Sequence, residues 1–423
     1  MKFFFPDAHE LVDPDYPFAR KHDPPRGVGQ QDGKYAHELL DPPPYDGILL
    51  SRAIIQGRGS DATGRFRDAK YKLSEQHRLF RVGAREFFRA GKRPLLFMGD
   101  CGAFSYRDEP EPPFTVDGVI GYYDACRVDW GVSVDHVILG YDPKADASLF
   151  GIEGVREDWI KRQEITLTLA AEFLRKVRAG RYTFEPIAAA QGWSPKSYAR
   201  CVGEFQKMGY RRIALGGMVP LKSAEVLDVL AGVGEVRHPE TELHLLGLNR
   251  MDHVELFRGF GVTSIDSTSP LTQAFKDDRD NYYTPGRKYT AVRIRIADLK
   301  VTRELRQLIA AGQLTQTLAL RLEGEAWDAV LGYADRRVSL DDAVAAVVRY
   351  EEPFDPGVPN AARYRETLAD RPWEKCECAI CAAIGVHCVL FRGSERNRRR
   401  GFHNLYVTYR EIQRVIAAGS QVA

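Results

Sequence analysis

Short runs of apolar and β-branched residues recur along the first two thirds of the chain, separated by longer stretches of mixed polarity. The runs Lys2–Phe5, Asp46–Leu50, Pro94–Met98, His136–Gly140, Phe184–Ala190, Arg212–Leu215, Leu243–Gly247 and Val262–Ile265 read as buried strands. Helical spacing fills several gaps between them. Glu157–Arg178 places Ile160, Ile165, Leu167, Leu169, Phe173 and Leu174 at intervals that suit a helix packed on a sheet. Pro195–Met208 starts with Ser194 as N-cap and Pro195 at the first helical position. Lys222–Leu230 and Asp252–Arg258 are shorter helical candidates, and after Thr302 the pattern turns mostly helical, through Leu305–Ala311 and Ser339–Tyr350.

Strands alternating with helices imply βαβ units and a parallel sheet, so the fold class is α/β. Eight strands over roughly 270 residues predict a (β/α)8 barrel. The competing architecture is an open doubly wound sheet, but no Gly-x-Gly-x-x-Gly follows an early strand. The expected division is an N-terminal wrapping segment over 1–45, the barrel over 46–300, and a mostly helical C-terminal region over 301–423. A zinc subdomain is expected at about 370–410 within that last region.

The chain has 423 residues and 44% hydrophobic content, enough for a large core. No run of about 18 apolar residues predicts a membrane span, and the N-terminus does not read as a secretory signal. Three of the seven cysteines cluster as Cys376, Cys378 and Cys381, which fits a metal site in a reducing, cytoplasmic compartment better than a disulfide framework. With His403 they supply three thiolates and an imidazole, a closed tetrahedral set for a structural Zn2+. His387, six residues after Cys381, is a competing fourth ligand. Net charge is only +2, but Arg392, Arg396, Arg398, Arg399 and Arg400 crowd the segment before His403. They read either as a solvated loop or as contacts to a nucleic-acid backbone. A second basic stretch holds Arg58, Arg65, Arg67, Lys70 and Lys72.

Barrel enzymes carry their chemistry at the C-terminal ends of the strands. Here those ends supply Asp100, Asp142, Gln191, Gly216, Gly217, Gly247 and Asp266. Two carboxylates can divide glycosyl chemistry between a nucleophile and an acid/base. Another acid and an amide can hydrogen-bond a purine edge, and glycines let a flat base approach the backbone. Each Asp alone could equally be a helix N-cap. Cys101 reads as a small buried residue rather than a reactive thiol, and His136 and His244 read as core histidines.

These residues resemble the tRNA-guanine transglycosylase superfamily over most of the chain, from about Asp46 to Tyr409. The family's Asp-Ser-Gly-Gly-Phe-Gln resembles Asp100-Cys101-Gly102-Ala103-Phe104-Ser105, and its Gln-Gly-Gly resembles Gln191-Gly192-Trp193. Its Gly-Gly-Leu, Leu-Met-Gly and Phe-Asp-Cys resemble Gly216-Gly217-Met218, Leu245-Leu246-Gly247 and Ile265-Asp266-Ser267. The zinc motif matches down to His403-Asn404-Leu405, which favours His403 over His387. The resemblance implies a (β/α)8 barrel with a C-terminal zinc subdomain. It makes Asp266 the nucleophile that forms a covalent sugar link and Asp100 the general acid/base. Asp142 and Gln191 would read the purine edge, Gly217 and Gly247 would border the base, and Phe104 and Leu246 would sandwich it.

Two departures bear on the substrate. The family's Pro-Thr-Arg-x-x-Arg after the nucleophile is replaced by Pro270-Leu271-Thr272-Gln273-Ala274-Phe275-Lys276, without either arginine. The family's Val-Gly-Glu gives way to Val219-Pro220-Leu221. The opening "KFFFPDAHELVDPDYPF" and the later "PYDGILLSRAII" resemble the DNA-modifying branch of the superfamily. That resemblance implies exchange of guanine in DNA for a 7-deazaguanine such as 7-cyano-7-deazaguanine, in a modification and restriction system with a partner protein. The alternatives are the same chemistry on tRNA and a zinc-stapled nucleic-acid-binding protein without catalysis.

Overall fold

The computed structural model describes residues 1–18, 32–60, 66–67, 69–147, 155–248, 250–276 and 279–419. Eight parallel strands close into a barrel: β1 (Lys2–Pro6), β2 (Gly47–Ser51), β3 (Leu96–Asp100), β4 (Trp130–Val132), β5 (Glu185–Ala190), β6 (Arg212–Leu215), β7 (Glu242–Leu245) and β8 (Val262–Asp266). Neighbours in the barrel are neighbours in sequence, and β1 closes the ring by pairing with both β2 and β8. Phe4, Leu49, Met98, Trp130, Val132, Ile187, Ala189 and Ala214 pack together as a buried core. Strands buried on both faces explain why Phe3, Phe4 and Phe5 run apolar without alternation.

Seven of the expected strands match within two residues at either end. The fourth does not. His136–Gly140 is not a strand, and β4 lies earlier, pairing Trp130 with Met98 and Glu185. The reason lies in hydrogen bonding. Past Val132, side chains replace the ladder: Ser133 Oγ accepts from Ala189 N, Thr166 Oγ1 from His136 N, and Gln191 Oε1 from Ile138 N. The apolar residues of 137–139 are buried by packing rather than by strand pairing.

The helices follow their sequence signals closely. Glu157–Ala179 and Pro195–Met208 form as expected, the latter with Ser194 Oγ accepting from Ser197 N. Among the described residues no helix is long and apolar enough to cross a membrane.

The chain divides into two compact units, one of residues 1–9, 45–268 and 412–423, the other of 10–44 and 269–411. Residues 1–45, expected as one wrapping segment, are thus shared: β1 belongs to the barrel unit and 10–44 to the other. The second unit is mostly helical and carries the cysteine cluster. Within it the arginine-rich stretch is not a loop, because Gly393–Gly419 is one helix.

Candidate active site

The C-terminal strand ends gather a polar cup inside the barrel unit. Asp266 ends β8 and is 4% exposed. Its Oδ1 accepts from His244 Nε2 at 3.0 Å and from the Gly247 backbone N–H at 2.9 Å. Its Oδ2 has no hydrogen-bond partner among the described residues. Gly247 can aim its N–H this way because it sits at φ +71°, where a side chain would be strained.

Asp100 ends β3, beside Ser51 in the β2 register. Burial pushes its carboxyl up to about 7, and the charges of Asp135 and Asp266 add to the shift. Hydrogen bonds from the Gly102 N–H and the Ser51 hydroxyl oppose it. Asp100 is therefore an acid that holds its proton close to neutrality, within electrostatic range of a second carboxylate.

The buried polar residues beside Asp100 differ from those expected at the strand ends. Asp142 lies half-buried ten residues beyond the end of β4 and accepts from Lys144 N. Asp135, three residues past β4 and 2% exposed, is the carboxylate that joins the cup. Its Oδ2 accepts from Gln191 Nε2 at 2.7 Å, and its Oδ1 accepts from the Cys101 thiol at 3.3 Å. Burial raises Asp135 to about 6. Gln191 is 1% exposed, and its amide lies against Gly216 and Gly217. Gly217 has φ +72°, and a Cβ there would stand 2.3 Å from Ile138 O, so no other residue fits between these backbones. Phe104 is 57% exposed, with the Arg107 guanidinium 4.7 Å over its ring. Leu246, after β7, is partly buried against the barrel core.

Asp135 lies outside the expected strand end because β4 closes at Val132, ahead of the apolar run His136–Gly140. His244 is not expected at the site because a buried histidine on a strand is usually core. The usable signal was period two. His244 shares register with Ala214 and Ser264, so it faces the barrel interior with Ala214, toward the strand end that carries Asp266. Cys101 is fully buried, and burial beside Asp135 and Asp100 raises its thiol well above the ordinary value, which makes it a donor to Asp135 rather than a nucleophile.

In the second unit, the ligand atoms of Cys376, Cys378, Cys381 and His403 lie within 4.8 Å of one another. His403 Nδ1 stands 3.5, 3.4 and 3.4 Å from the three sulfurs. Zinc bonds of about 2.3 Å to sulfur and about 2.0 Å to nitrogen give a tetrahedron with S···N edges of about 3.5 Å, so the residues fit the ion. His403 Nε2 donates to Tyr283 O at 2.7 Å, which leaves Nδ1 as the ligand atom. His387 does not join the set. It lies tilted against Phe18 and Trp327, and burial beside Arg396 lowers it to about 4.

The five arginines expected on a nucleic-acid backbone are committed to the protein. Arg392 pairs with Glu323 at 2.6 Å and donates to Ile294 O. Arg396 donates to Tyr16 Oη and Phe18 O, and Arg400 to Leu390 O and Ala274 O. Arg399 pairs with Glu395, and Arg398 with Glu10. Arg392, Arg396, Arg399 and Arg400 are at most 5% exposed, so their charges are not offered to phosphates. Of the second basic stretch, Arg65 lies outside the described residues.

No family model matches the chain. A DNA-guanine transglycosylase of Salmonella montevideo is 42% identical to it over 426 residues, covering 100% of this chain and 99% of that protein. A closed parallel barrel with acidic strand ends, a Cys3His cluster and full-length identity at that level place the chain in one family. It belongs to the DNA-guanine transglycosylases.

Proposed function

We propose that this protein exchanges guanine in DNA for a 7-deazaguanine such as 7-cyano-7-deazaguanine, through a covalent aspartyl-sugar intermediate. The observation that carries the reading is the carboxylate pair: Asp266 with one oxygen tied and the other open, and Asp100 within electrostatic range of it, its carboxyl pushed up to about 7. Asp266 Oδ2 attacks C1′ while the N9–C1′ bond breaks, and Asp100 protonates the departing base. The incoming base gives its N9 proton to Asp100 and attacks C1′, returning the electron pair to Asp266. Two displacements retain configuration at the sugar.

Guanine and 7-deazaguanines present the same pyrimidine edge, with N1–H and the 2-amino group as donors and O6 as acceptor. In this reading the Asp135 carboxylate would accept from the donors, and Gln191 Nε2, which gives one hydrogen to Asp135, would give its other to O6, with Gly217 bordering the base. A pocket that reads this edge admits both the leaving and the entering base. The exposed Phe104 ring and Arg107 offer a stacking face and a cation at the mouth. The target base must leave the duplex to reach Asp266, at a cost of a few kcal/mol.

The DNA substrate is supported by the full-length likeness to a DNA-guanine transglycosylase and by the missing arginine pair after Asp266. A partner protein of the same modification system and a cytoplasmic location complete the proposal. Cys376, Cys378, Cys381 and His403 would hold Zn2+ as a structural ion, whose closed ligand set stabilises the fold and leaves no position for substrate. Incubation with labelled 7-cyano-7-deazaguanine and either plasmid DNA or bulk tRNA tests the reading. Label should enter DNA; label entering only tRNA overturns it.

The acid pair sets an expected pH profile. Asp100, raised to about 7, acts as the acid below that pH and loses this role as pH rises through it. Asp135, raised to about 6, must be ionised to read the base and loses that state as pH falls through it. kcat/KM for DNA should therefore be bell-shaped, with limbs near 6 and 7 that belong to the coupled pair. Asp135→Asn should remove the acid limb and move the alkaline limb to lower pH, because one charge that raises Asp100 is gone. An alkaline limb unmoved in Asp135→Asn would contradict the assignment.

A further inference from the structure

His244 is fully buried, and both ring nitrogens are occupied. Nε2 faces Asp266 Oδ1 at 3.0 Å, and Nδ1 faces Ser264 Oγ at 2.8 Å. Ser264 and Asp266 sit two residues apart on β8, about 7 Å along one face of the strand. His244 pairs with Ser264 in register from the neighbouring β7. A rigid ring with a nitrogen on each side spans that interval and cannot turn without breaking one of the two bonds. Phe4, on β1, meets the ring edge-on at 6.0 Å between centroids.

The proton positions follow from the partners. An ionised carboxylate only accepts, so Nε2 carries the hydrogen. In the neutral ring Nδ1 then accepts from the Ser264 hydroxyl, giving a one-way chain from Ser264 to His244 to Asp266. With its only lone pair taken, the imidazole is no base for the reaction. It is a fixed donor that, with the Gly247 N–H, ties Oδ1 and leaves Oδ2 to the sugar.

We propose that His244 is the positioning residue of the nucleophile, and that it also sets the balance between the two displacements. This rests on Asp266 being the nucleophile. When Oδ2 bonds to C1′, Asp266 becomes an ester and Oδ1 a weaker acceptor. When the entering N9 displaces it, the Oδ2–C1′ pair returns to the carboxylate and the His244 bond regains full strength. A charge-assisted donor therefore favours release of the ester over its accumulation.

The test uses the full chain, plasmid DNA and labelled guanine, with His244→Phe, His244→Gln, Ser264→Ala and Asp266→Asn compared. His244→Phe should lower kcat roughly 10- to 100-fold, the loss expected for a hydrogen bond to a charged group, and lower KM for DNA with it as the ester accumulates. It should also raise the fraction of protein caught covalently on DNA under denaturing conditions. His244→Gln, whose amide can donate from the Nε2 position, should recover most of the rate. Ser264→Ala frees the ring and should lower kcat in the same direction, which keeps the test open should His244→Phe not fold. Wild-type kcat in both His244→Phe and Ser264→Ala, or no more covalent species in His244→Phe than in wild type, overturns the proposal. Exchange or covalent capture by Asp266→Asn overturns the nucleophile reading instead, whatever the His244 variants do.

Discussion

Asp266→Asn is expected to lose base exchange by about 10^4-fold or more, since the proposed mechanism gives its Oδ2 the attack on the sugar. Asn is the informative substitution because its amide oxygen can still accept from His244 and the Gly247 N–H, so the barrel end keeps its bonds. Asp266→Ala should lose exchange equally but also leave the His244 Nε2–H buried without a partner. That penalty is about 1–3 kcal/mol of stability. The two variants thus separate chemistry from folding: equal loss of exchange, with a lower melting temperature for Ala only. DNA binding should survive in both, because neither removes a contact to the strand. Undiminished incorporation by either variant sinks the assignment.

Cys378→Ala should act through the fold. Cys378 is 1% exposed and caps the helix Ala379–Ile384, its sulfur accepting from Cys381 N at 3.3 Å. Losing one ligand of a closed site removes the ion, and structural zinc binding in small peptides reaches about 10–16 kcal/mol. The second unit also has an apolar core, around Ala297, Leu305, Leu314 and Ala319, so the expected loss is smaller, on the order of 5 kcal/mol. Atomic emission should find one zinc per wild-type chain and none in the variant, with a matching fall in melting temperature. Chelation of the wild type should reproduce that fall. Catalysis should decline only with folding; a Cys378→Ala protein that folds normally and binds DNA yet cannot exchange bases would contradict this.

Short apolar runs and period-3.6 patterns made the barrel legible, because the strands are buried on both faces and most helices bury one continuous face against them. The Cys3His cluster was legible because its three cysteines lie close in sequence, and metal-ligand chemistry restricts which residues serve. Asp100 and Asp266 were legible as acids ending apolar runs, and Gln191 as an amide doing the same. The strand ends are where a parallel barrel opens, so position along the chain maps directly to position in the cup.

Three assignments needed the tertiary structure. Asp135 rather than Asp142 joins Gln191, because past β4 His136 N and Ile138 N donate to the Thr166 and Gln191 side chains while Ser133 Oγ accepts from Ala189 N, and that choice shifts which acid faces inward. The arginines of 392–400 turn inward because they lie against carbonyls and against Glu323 and Glu10 from distant segments, partners that composition cannot reveal. His244 becomes a donor to Asp266 through cross-strand register, a relation set by how β7 and β8 align. Sequence determined the elements and which residue types could do chemistry, since those follow from local periodicity and ligand identity. Only the tertiary structure decided which side chains meet, because hydrogen-bond partners and burial arise between residues far apart in the chain.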